Sequence, residues 1–518
     1  MSLENYIKNL GTTTKNDLLG SEVTRYLRET FCKNQEGVLS KEILNKAVLL
    51  KSCFDLTGTK KGRRLLIDAL SIEKLNALGY SDYDEANRQL DSNPQHFCTA
   101  LGIDEKYIKR KPQENRIAQV DVISKFGESI KSKGFLHPYQ RRLKEQLLWD
   151  LKNSALQSHL CTMPTGAGKT TLAVELLLDL IRTHSSKENN RPFNFIWIVE
   201  GEILAEQSLQ SFQNVWRQKG DFPLSINRYF TPFESTQTTN LSSATFCTFS
   251  LVTSRLDTPE LIALFQKADL LIIDEAHSSK AETYEEAIRH YQNLNPDHRI
   301  LGLTATPYRP DDVNIDSLKA MFQNHRSITD ASGSPVISPI SYLVSKDYLS
   351  HVDFHQMTDG GTVGVEGDSI KELHDQVLAA CRNLIKEKQN CIIFAKSMSH
   401  AIALHLFLLS YQVESGLIIG DTPPIERERL ISDFGNAEKS LSILVNGGIL
   451  SKGVDVPGLN SVMILGEVGN PSQALQILGR AMRGPKNGGN KNNTVYLTRD
   501  NFTRISSYKI LEQITLSS

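Results

Sequence analysis

The stretch MPTGAGKT, Met163–Thr170, determines the predicted fold of this chain. The run before it, HLCTM (residues 159–163), reads as a strand, and the run after it, TLAVELLLDLI (171–181), reads as a helix. Gly166 and Gly168 let the backbone curl so that successive N–H groups point inward, which suits an anion. The helix N-terminus adds its dipole. The stretch therefore predicts a phosphate-binding loop rather than a plain strand-to-helix turn.

Lys169 and Thr170 end the loop with the two side chains that a bound polyphosphate requires. The Lys169 ammonium would reach the β- and γ-phosphates, and the Thr170 hydroxyl would be a ligand of Mg²⁺. The general pattern places a glycine six residues before the lysine, where this chain has Met163. The rest of the loop is expected to line the phosphates: Pro164, Thr165, Gly166, Ala167 and Gly168.

A second apolar strand, Leu270–Ile273, delivers two carboxylates to the end where ligands bind in open α/β sheets. Asp274 is predicted to hold Mg²⁺, directly or through water. Glu275 is predicted to polarise the attacking water. Adjacent side chains on a strand point to opposite sides, so the two carboxylates can take different roles.

The bulk composition is that of an ordinary globular protein. The chain has 518 residues, 40% apolar and 23% charged, with a formal net charge of -1. This length predicts about two to four domains. The sequence has no apolar run of about 18 residues, so no membrane span is expected. Its first residues also lack a signal-peptide pattern. The seven cysteines form no C-x-x-C pair, which argues against zinc-ribbon and iron–sulfur classes and favours a cytoplasmic location.

The chain divides by texture into a helical segment and two α/β segments. Residues 1–130, here called the leader, place apolar residues three and four apart, which is typical of helices. From about residue 131, short apolar runs alternate with longer amphipathic stretches, as in parallel sheets covered by helices. TDASGSPVISP (Thr329–Pro339) places a junction near residues 335–345. The predicted fold class is α/β, with a mostly helical accessory domain at 1–130 and two parallel-sheet domains at 131–335 and 340–518.

These motifs, in their order and spacing, resemble those of the superfamily 2 helicases and translocases of the DEAH type. That superfamily uses the Met163 form of the phosphate loop. DEAH (Asp274–His277) resembles motif II, TAT (Thr304–Thr306) motif III and LAEQ (Leu204–Gln207) motif Ia. FLHPYQ (Phe135–Gln140) is similar to the element that reads adenine. LGLTATPYRPDD and LSKGVDVP are most similar to the restriction-subunit and DNA-repair branch, which is ResIII-like.

The second half carries three further similarities. CIIFAKSMSHAIAL (Cys391–Leu404) resembles motif IV. ILSKGVDVPG (Ile449–Gly458) resembles motif V, with Gly453 and Asp455 in place. QILGRAMR (Gln476–Arg483) fits the motif VI pattern Q-x-x-G-R-x-x-R.

The resemblance implies two tandem RecA-like domains with ATP and Mg²⁺ in the cleft between them. The first domain would contribute Gln140, whose amide can pair with an adenine edge, together with Lys169, Thr170, Asp274 and Glu275. The second domain would contribute Gly453 and Asp455. It would also supply two arginines that stabilise charge on the γ-phosphate, Arg480 and Arg483.

Nucleic acid, with DNA the first expectation, would run across both domains and be held mainly by phosphate contacts. The candidate contacts are Thr248, Ser397, His400, Ser451 and Lys452. Three activities stay open: a DNA translocase or helicase, an RNA helicase, and a nucleic-acid-triggered ATPase switch that signals to a partner. By analogy, the architecture suggests a subunit of a prokaryotic restriction, phage-defence or repair system.

The leader contains none of these motifs, and its amphipathic helices need a cover within the leader, on the core or on another chain. We expect it to be a docking or substrate-engagement module that binds a partner protein. On that hypothesis, a chain that begins near Ser132 would stay soluble and keep its basal ATP hydrolysis.

Overall fold

The computed structural model shows three groups of elements that follow one another along the chain. The residues that it describes are 3–32, 37–58, 60–68, 70–92, 99, 103, 119–122, 136–153, 155–187, 191–220, 223–231, 241–276, 281–305, 321–360, 369–420, 422, 424–436, 441–448, 458–508 and 510.

The described part of the leader is helical as far as Ser92. Along its second helix, Leu19, Val23 and Leu27 recur every four residues and are fully buried. Gly20 bends this helix with φ 76°, a value that glycine adopts without strain. The leader helices are α1 (Leu3–Asn9), α2 (Thr12–Phe31), α3 (Lys41–Gly58), α4 (Lys60–Asp68), α5 (Ile72–Ala77) and α6 (Tyr83–Ser92).

The first sheet has eight strands in the order β1-β4-β5-β3-β6-β7-β2-β8. Seven strands are parallel, and β1 pairs antiparallel with β4. The strands are β1 (Gln119–Val122), β2 (Ser158–Thr162), β3 (Asn194–Val199), β4 (Leu224–Tyr229), β5 (Ser243–Thr248), β6 (Leu270–Ile273), β7 (Ile300–Thr304) and β8 (Asn324–Ser327).

Helices cover both faces of this sheet. Along β3, Trp197 packs into one apolar cluster while Ile196 and Ile198 pack into another, so the strand is buried on both sides. This explains why the strands read as continuous apolar runs. The helices are α7 (Pro138–Asn153), α8 (Lys169–Lys187), α9 (Glu202–Lys219), α10 (Phe249–Ser254), α11 (Pro259–Lys267) and α12 (Ala281–Leu294).

The second sheet has six parallel strands in the order β11-β12-β10-β13-β14-β9. Its strands are β9 (His351–Met357), β10 (Cys391–Phe394), β11 (Gly416–Ile418), β12 (Ile443–Asn446), β13 (Ser461–Ile464) and β14 (Asn492–Thr498). Its helices are α13 (Pro339–Ser345), α14 (Ile370–Lys386), α15 (Met398–Ser410), α16 (Pro424–Asp433), α17 (Pro471–Arg480), the 3₁₀ turn Pro485–Asn487 and α18 (Arg499–Ser507).

The predicted architecture, two tandem parallel-sheet domains behind a helical leader, is confirmed. The antiparallel strand β1 is a difference from the prediction, and it joins the first sheet from a position before residue 131. Within the described residues, no helix is both long enough and apolar enough to span a bilayer.

The leader shares a hydrophobic core with the second sheet domain, although the first sheet domain lies between them in the chain. One cluster of buried side chains joins Val23 and Leu27 of α2 to Val377 of α14 and to Ala403 and Phe407 of α15. The leader's apolar faces are therefore covered by the second domain of the same chain. The outer helix α15 is apolar around its whole circumference because the sheet covers one side of it and the leader the other.

A buried chain of hydrogen bonds crosses this leader interface. The backbone N–H of Lys396 donates to His400 Nδ1 at 3.0 Å, so His400 must carry its proton on Nε2. That proton lies between His400 Nε2 and His374 Nε2, which are 2.9 Å apart. His374 Nδ1 then faces the Thr30 hydroxyl at 3.3 Å, and this hydroxyl donates to the Tyr26 carbonyl at 2.7 Å. Both imidazoles must be neutral for the chain to form.

Acid should weaken the folded chain through these two histidines. Burial lowers the pKa of His374 to about 3 and that of His400 well below its ordinary value of 6.5, and the charge of Lys396 adds to both shifts. The unfolded chain takes up these protons below about pH 6.5 while the folded chain does not. The stability is therefore fully present above that pH and falls below it, for His374 by about 1.4 kcal/mol per pH unit down to about pH 3, and for His400 in the same direction.

Urea unfolding followed by circular dichroism at pH 7.5 and 5.0 measures this loss. A His374→Gln protein should lose less stability between the two pH values than the wild type, because one titrating group is gone. Replacing the exposed His355 by Gln is the matched control and should change nothing. An equal pH dependence in all three proteins would contradict the prediction.

The shared core reverses the outcome expected for a trimmed chain. Removal of residues 1–118 uncovers apolar side chains of α14 and α15, including Val377 and Phe407. We expect this protein to aggregate, and we expect the separately expressed leader to restore solubility when it is supplied in trans. The measurement is the soluble fraction on size-exclusion chromatography. A trimmed chain that stays monomeric by itself would show that the leader is dispensable for folding.

Candidate nucleotide-binding site

The loop between β2 and α8 adopts a conformation that places its backbone around a central space. Gly166 and Gly168 both have φ +81°, the left-handed region that favours glycine. The N–H of Met163 donates to the Thr304 carbonyl at 3.0 Å, which ties the start of the loop to the end of β7. The loop is thus fixed to the sheet at one end and opens into α8 at Lys169.

The two carboxylates at the end of β6 lie opposite this loop. Lys169 Nζ is 3.6 Å from Glu275 Oε1, so the loop's cation and a carboxylate form an ion pair. Glu275 itself has φ 50°, which is unusual for a residue with a side chain. Trp197 Nε1 on the neighbouring strand β3 donates to Asp274 Oδ2 at 3.4 Å.

The Asp274 carboxyl is costly to ionise in this position. Burial raises its pKa to about 6, with the adjacent Glu275 carboxylate as the second cause and Lys169 opposing both. A buried carboxylate next to a second one favours the arrival of positive charge. The pair therefore offers oxygen ligands to a hard divalent cation.

Helix α17 of the second domain faces the phosphate loop across a narrow cleft. The Asn470 side chain caps the helix by accepting from Gln473 N. Gln476, Gly479, Arg480 and Arg483 line the same cleft as the loop and the two carboxylates. The cleft thus brings together six of the predicted site residues: Lys169, Thr170, Asp274, Glu275, Arg480 and Arg483.

Gly479 sets how closely the two domains approach. A Cβ atom built on this glycine would lie 2.3 Å from Thr165 Cβ, and one built on Gly166 would lie 3.0 Å from the Gly479 carbonyl oxygen. Only residues without side chains allow this distance. At the phosphate loop, the backbone of Gly479 therefore lies directly against Thr165 and Gly166.

The Gln140 amide was predicted to pair with the adenine edge, but in the structure it contacts the protein backbone. Its Nε2 donates to the Ala167 carbonyl at 2.9 Å, and its Oε1 accepts from the His137 N–H at 2.8 Å. The Tyr139 hydroxyl donates to the same Ala167 carbonyl at 2.9 Å. In this structure Gln140 therefore supports the phosphate loop from behind, and its adenine-reading role stays a prediction.

Sequence reasoning gave no role to several residues that line the cleft. One face of α9 contributes Ser208 and Ser211, three residues apart, beside Gln207 of the predicted motif Ia. Glu200 precedes that helix, and Trp197 lies behind Asp274. The helical spacing of these polar residues could have predicted that α9 has a polar face. Nothing in the sequence indicated that the Trp197 indole would face a carboxylate on the next strand.

The predicted nucleic-acid contacts lie away from the cleft or outside the described residues. Thr248 is buried at the start of α10. Ser397 caps α15 by accepting from His400 N, and its hydroxyl donates to Glu22 of the leader at 3.0 Å. His400 is fully buried. The residues singled out in the sequence that lie outside the described ranges are Ser451, Lys452, Gly453, Asp455, His277 and Thr306.

Fold and site define the class of the protein: two tandem RecA-like domains that share a cleft, with the phosphate loop on one side and an arginine-bearing helix on the other. Residues 133–309 match the family described as "Type III restriction enzyme, res subunit". Residues 374–485 match the helicase conserved C-terminal domain. The chain therefore carries the two domains of a superfamily 2 helicase core, the first of them ResIII-like.

Curated relatives share this region at low identity. The putative ATP-dependent helicase IRC3 of Saccharomyces cerevisiae is 23% identical over 332 residues, which cover 62% of this chain and 46% of that protein. The DNA 3'-5' translocase XPB2 of Sulfurisphaera tokodaii is 22% identical over 395 residues, 68% of this chain and 80% of that protein. The chain spans about half or less of the length of IRC3 and of its Schizosaccharomyces pombe counterpart.

Solved structures share the fold. Dbp5 of S. cerevisiae, bound to RNA and ADP BeF3, superposes with a TM-score of 0.51 at 18% identity, covering 73% of this chain and 87% of that one. The DUF1998 helicase MrfA bound to DNA gives a TM-score of 0.53 at 17% identity, covering 74% and 49%. Both likenesses concern the two-domain core.

Proposed function

We propose that this chain binds ATP with Mg²⁺ in the cleft between its two sheet domains and couples hydrolysis to movement along DNA. One observation carries the proposal. The phosphate loop, the two carboxylates that follow β6, Arg480 at the end of α17 and Arg483 just beyond it all line a single cleft, with a volume of about 350 Å³. That volume is within the range of small-molecule sites.

The residues present fit a nucleotide with its metal. The glycine conformations at 166 and 168 give the anion cradle, and a cation, Lys169, stands beside it. Thr170 and the buried Asp274 are the candidate ligands of Mg²⁺. When bound, the metal would neutralise phosphate charge and orient the β- and γ-phosphates.

The side chains that line the cleft have different proposed roles in hydrolysis. Lys169 compensates phosphate charge, and Glu275 holds and polarises the attacking water, the role that its carboxylate has in this site class. Arg480 and Arg483 approach from the second domain and stabilise the charge that develops on the transferred phosphoryl group. Because these groups come from two domains, hydrolysis depends on closure of the cleft.

DNA is the proposed track. Relatives of this chain include proteins named as an ATP-dependent DNA helicase, MPH1 of Kluyveromyces lactis, and as a DNA translocase, XPB2. The ResIII match adds a restriction subunit to this group. By analogy with that subunit, we propose that the chain serves a prokaryotic restriction, phage-defence or repair system. The rival activities are an RNA helicase and an ATPase switch that signals to a partner.

An ATPase assay with single-stranded DNA, duplex DNA and RNA tests the proposal. We expect either DNA form to raise the hydrolysis rate and RNA to have little effect, and we expect DNA-bound roadblocks to be displaced. Lys169→Ala is the negative control. Stimulation by RNA alone would support the RNA helicase. Stimulation by DNA without strand separation or displacement would support the switch, and no hydrolysis at all would refute the proposal.

Gln140 should impose a preference for ATP over GTP. In the structure its amide is engaged by His137 and by the phosphate loop, so pairing with the adenine edge requires the amide to leave these partners when nucleotide binds. The ratio of kcat/KM for ATP and GTP should therefore exceed one in the wild type and approach one in Gln140→Ala. A wild-type enzyme indifferent to the base would show that Gln140 only supports the loop.

A further inference from the structure

A hydrogen bond joins the two sheet domains through His137 and Asn487. His137 Nε2 lies 2.7 Å from Asn487 Oδ1. Asn487 Nδ2 donates to the Tyr348 carbonyl at 2.7 Å, which fixes the amide orientation and leaves Oδ1 as the acceptor. His137 therefore donates its Nε2–H across the domain boundary.

On the first-domain side, His137 is connected to the phosphate loop. Its backbone N–H binds Gln140 Oε1, and Gln140 Nε2 binds the Ala167 carbonyl. The neighbouring Tyr139 binds that carbonyl as well. A shift of the loop backbone at Ala167 would consequently move the first turn of α7, where His137 is attached.

On the second-domain side, Asn487 is connected to Arg483. The Ser350 hydroxyl lies 2.6 Å from the Arg483 carbonyl oxygen, and Leu349 forms an antiparallel bridge with Arg483. The chain between them is tight as well, because the N–H groups of Gly484 and Lys486 donate to the carbonyls of Tyr348 and Asp347. The backbone of Arg483 and the amide of Asn487 therefore belong to one hydrogen-bonded unit.

Aromatic packing strengthens the same junction. The His137 and Tyr348 rings have their centroids 4.6 Å apart, and the Tyr139 and Tyr348 rings 4.8 Å apart. Lys486 Nζ stands 4.8 Å from the centre of the Tyr348 ring. Such contacts each add a modest stabilisation to the junction between the two domains.

We propose that His137 and Asn487 form an interdomain bridge that links the phosphate loop to the placement of Arg483. Neither side chain touches the reacting atoms, so both are positioning residues. The bridge holds the second domain in the position in which Arg483 faces the loop. This inference rests on the proposed ATP hydrolysis. It adds a path through which a shift of the phosphate loop would change the position of the second domain.

Steady-state kinetics of His137→Ala, Asn487→Ala and the double variant test the bridge. Loss of one such hydrogen bond should lower the DNA-stimulated kcat about tenfold, while KM for ATP stays within about twofold. The double variant should be no slower than either single one, because both remove the same contact. His137→Gln, which keeps a donor, should recover part of the rate. The exposed Asn293→Ala is the matched control.

A rise of KM in parallel with the fall in kcat, additive effects of the two changes, or an unchanged kcat would each overturn the bridge. A scattering measurement without nucleotide separates this failure from that of the proposed function. His137→Ala should have a larger radius of gyration than the wild type, whether or not the wild type hydrolyses ATP. Equal radii would also overturn the bridge, whereas an inactive wild type with the expected difference in radius would refute only the hydrolysis.

Discussion

A Glu275→Gln protein should bind ATP as tightly as the wild type and hydrolyse it about 10²- to 10⁴-fold more slowly, the range for loss of a positioned acid or base. The substitution removes the carboxylate that would polarise the water while Lys169, Thr170 and Asp274 remain around the phosphates. Glu275 lies 3.6 Å from Lys169, so the neutral amide also leaves that cation free for the nucleotide. Single-turnover hydrolysis and equilibrium binding of a fluorescent ATP analogue measure the two quantities.

Glu285→Gln is the control for this experiment, since Glu285 forms an exposed ion pair with Arg289 within α12. It should leave both quantities unchanged. Turnover near the wild-type level in Glu275→Gln would mean that another group handles the water. A parallel loss of ATP binding would instead place Glu275 among the ground-state ligands.

Arg483→Ala should slow hydrolysis by about 10³-fold or more while ATP binding changes little. An arginine supplied by a second domain acts mainly on the charge of the transition state. Truncation should leave the backbone in place, because the Ser350 hydroxyl donates to the Arg483 carbonyl and Leu349 forms an antiparallel bridge with Arg483. The measured effect can thus be assigned to the guanidinium.

Arg504→Ala is the matched control, since Arg504 pairs with Glu467 on the surface of the second domain. Its kcat should equal that of the wild type. If Arg483→Ala weakens ATP binding and kcat to the same degree, the residue holds bound nucleotide. If neither changes, Arg480 alone carries the role from α17.

The sequence predicted the parallel-sheet core because its strands are buried on both faces. Leu270–Ile273 and Cys391–Phe394 are short runs without polar residues, and each is fully buried in a sheet. Local patterns also located the phosphate loop and the β6 carboxylates. These features depend on residues close together in the chain, which a linear pattern can show.

The leader's position could not be predicted in the same way. Its cover depends on contacts between Val23 or Leu27 and residues about 350 positions later, such as Val377 and Phe407. An amphipathic stripe specifies that a helix needs an apolar partner but not which one. The same limit applies to Gln140, because a side-chain amide can serve a base or a carbonyl equally well.

The common core of the leader and the second sheet makes those two parts one mechanical body. Rotation of the second domain about the cleft should therefore carry the leader helices with it and move them relative to strand β1, which belongs to the first sheet. A fluorophore on the exposed Glu4 and another on the exposed Trp149 side of α7 would then report each opening as a change in distance. A molecule bound to the leader helices would then move with the second sheet domain rather than with the first.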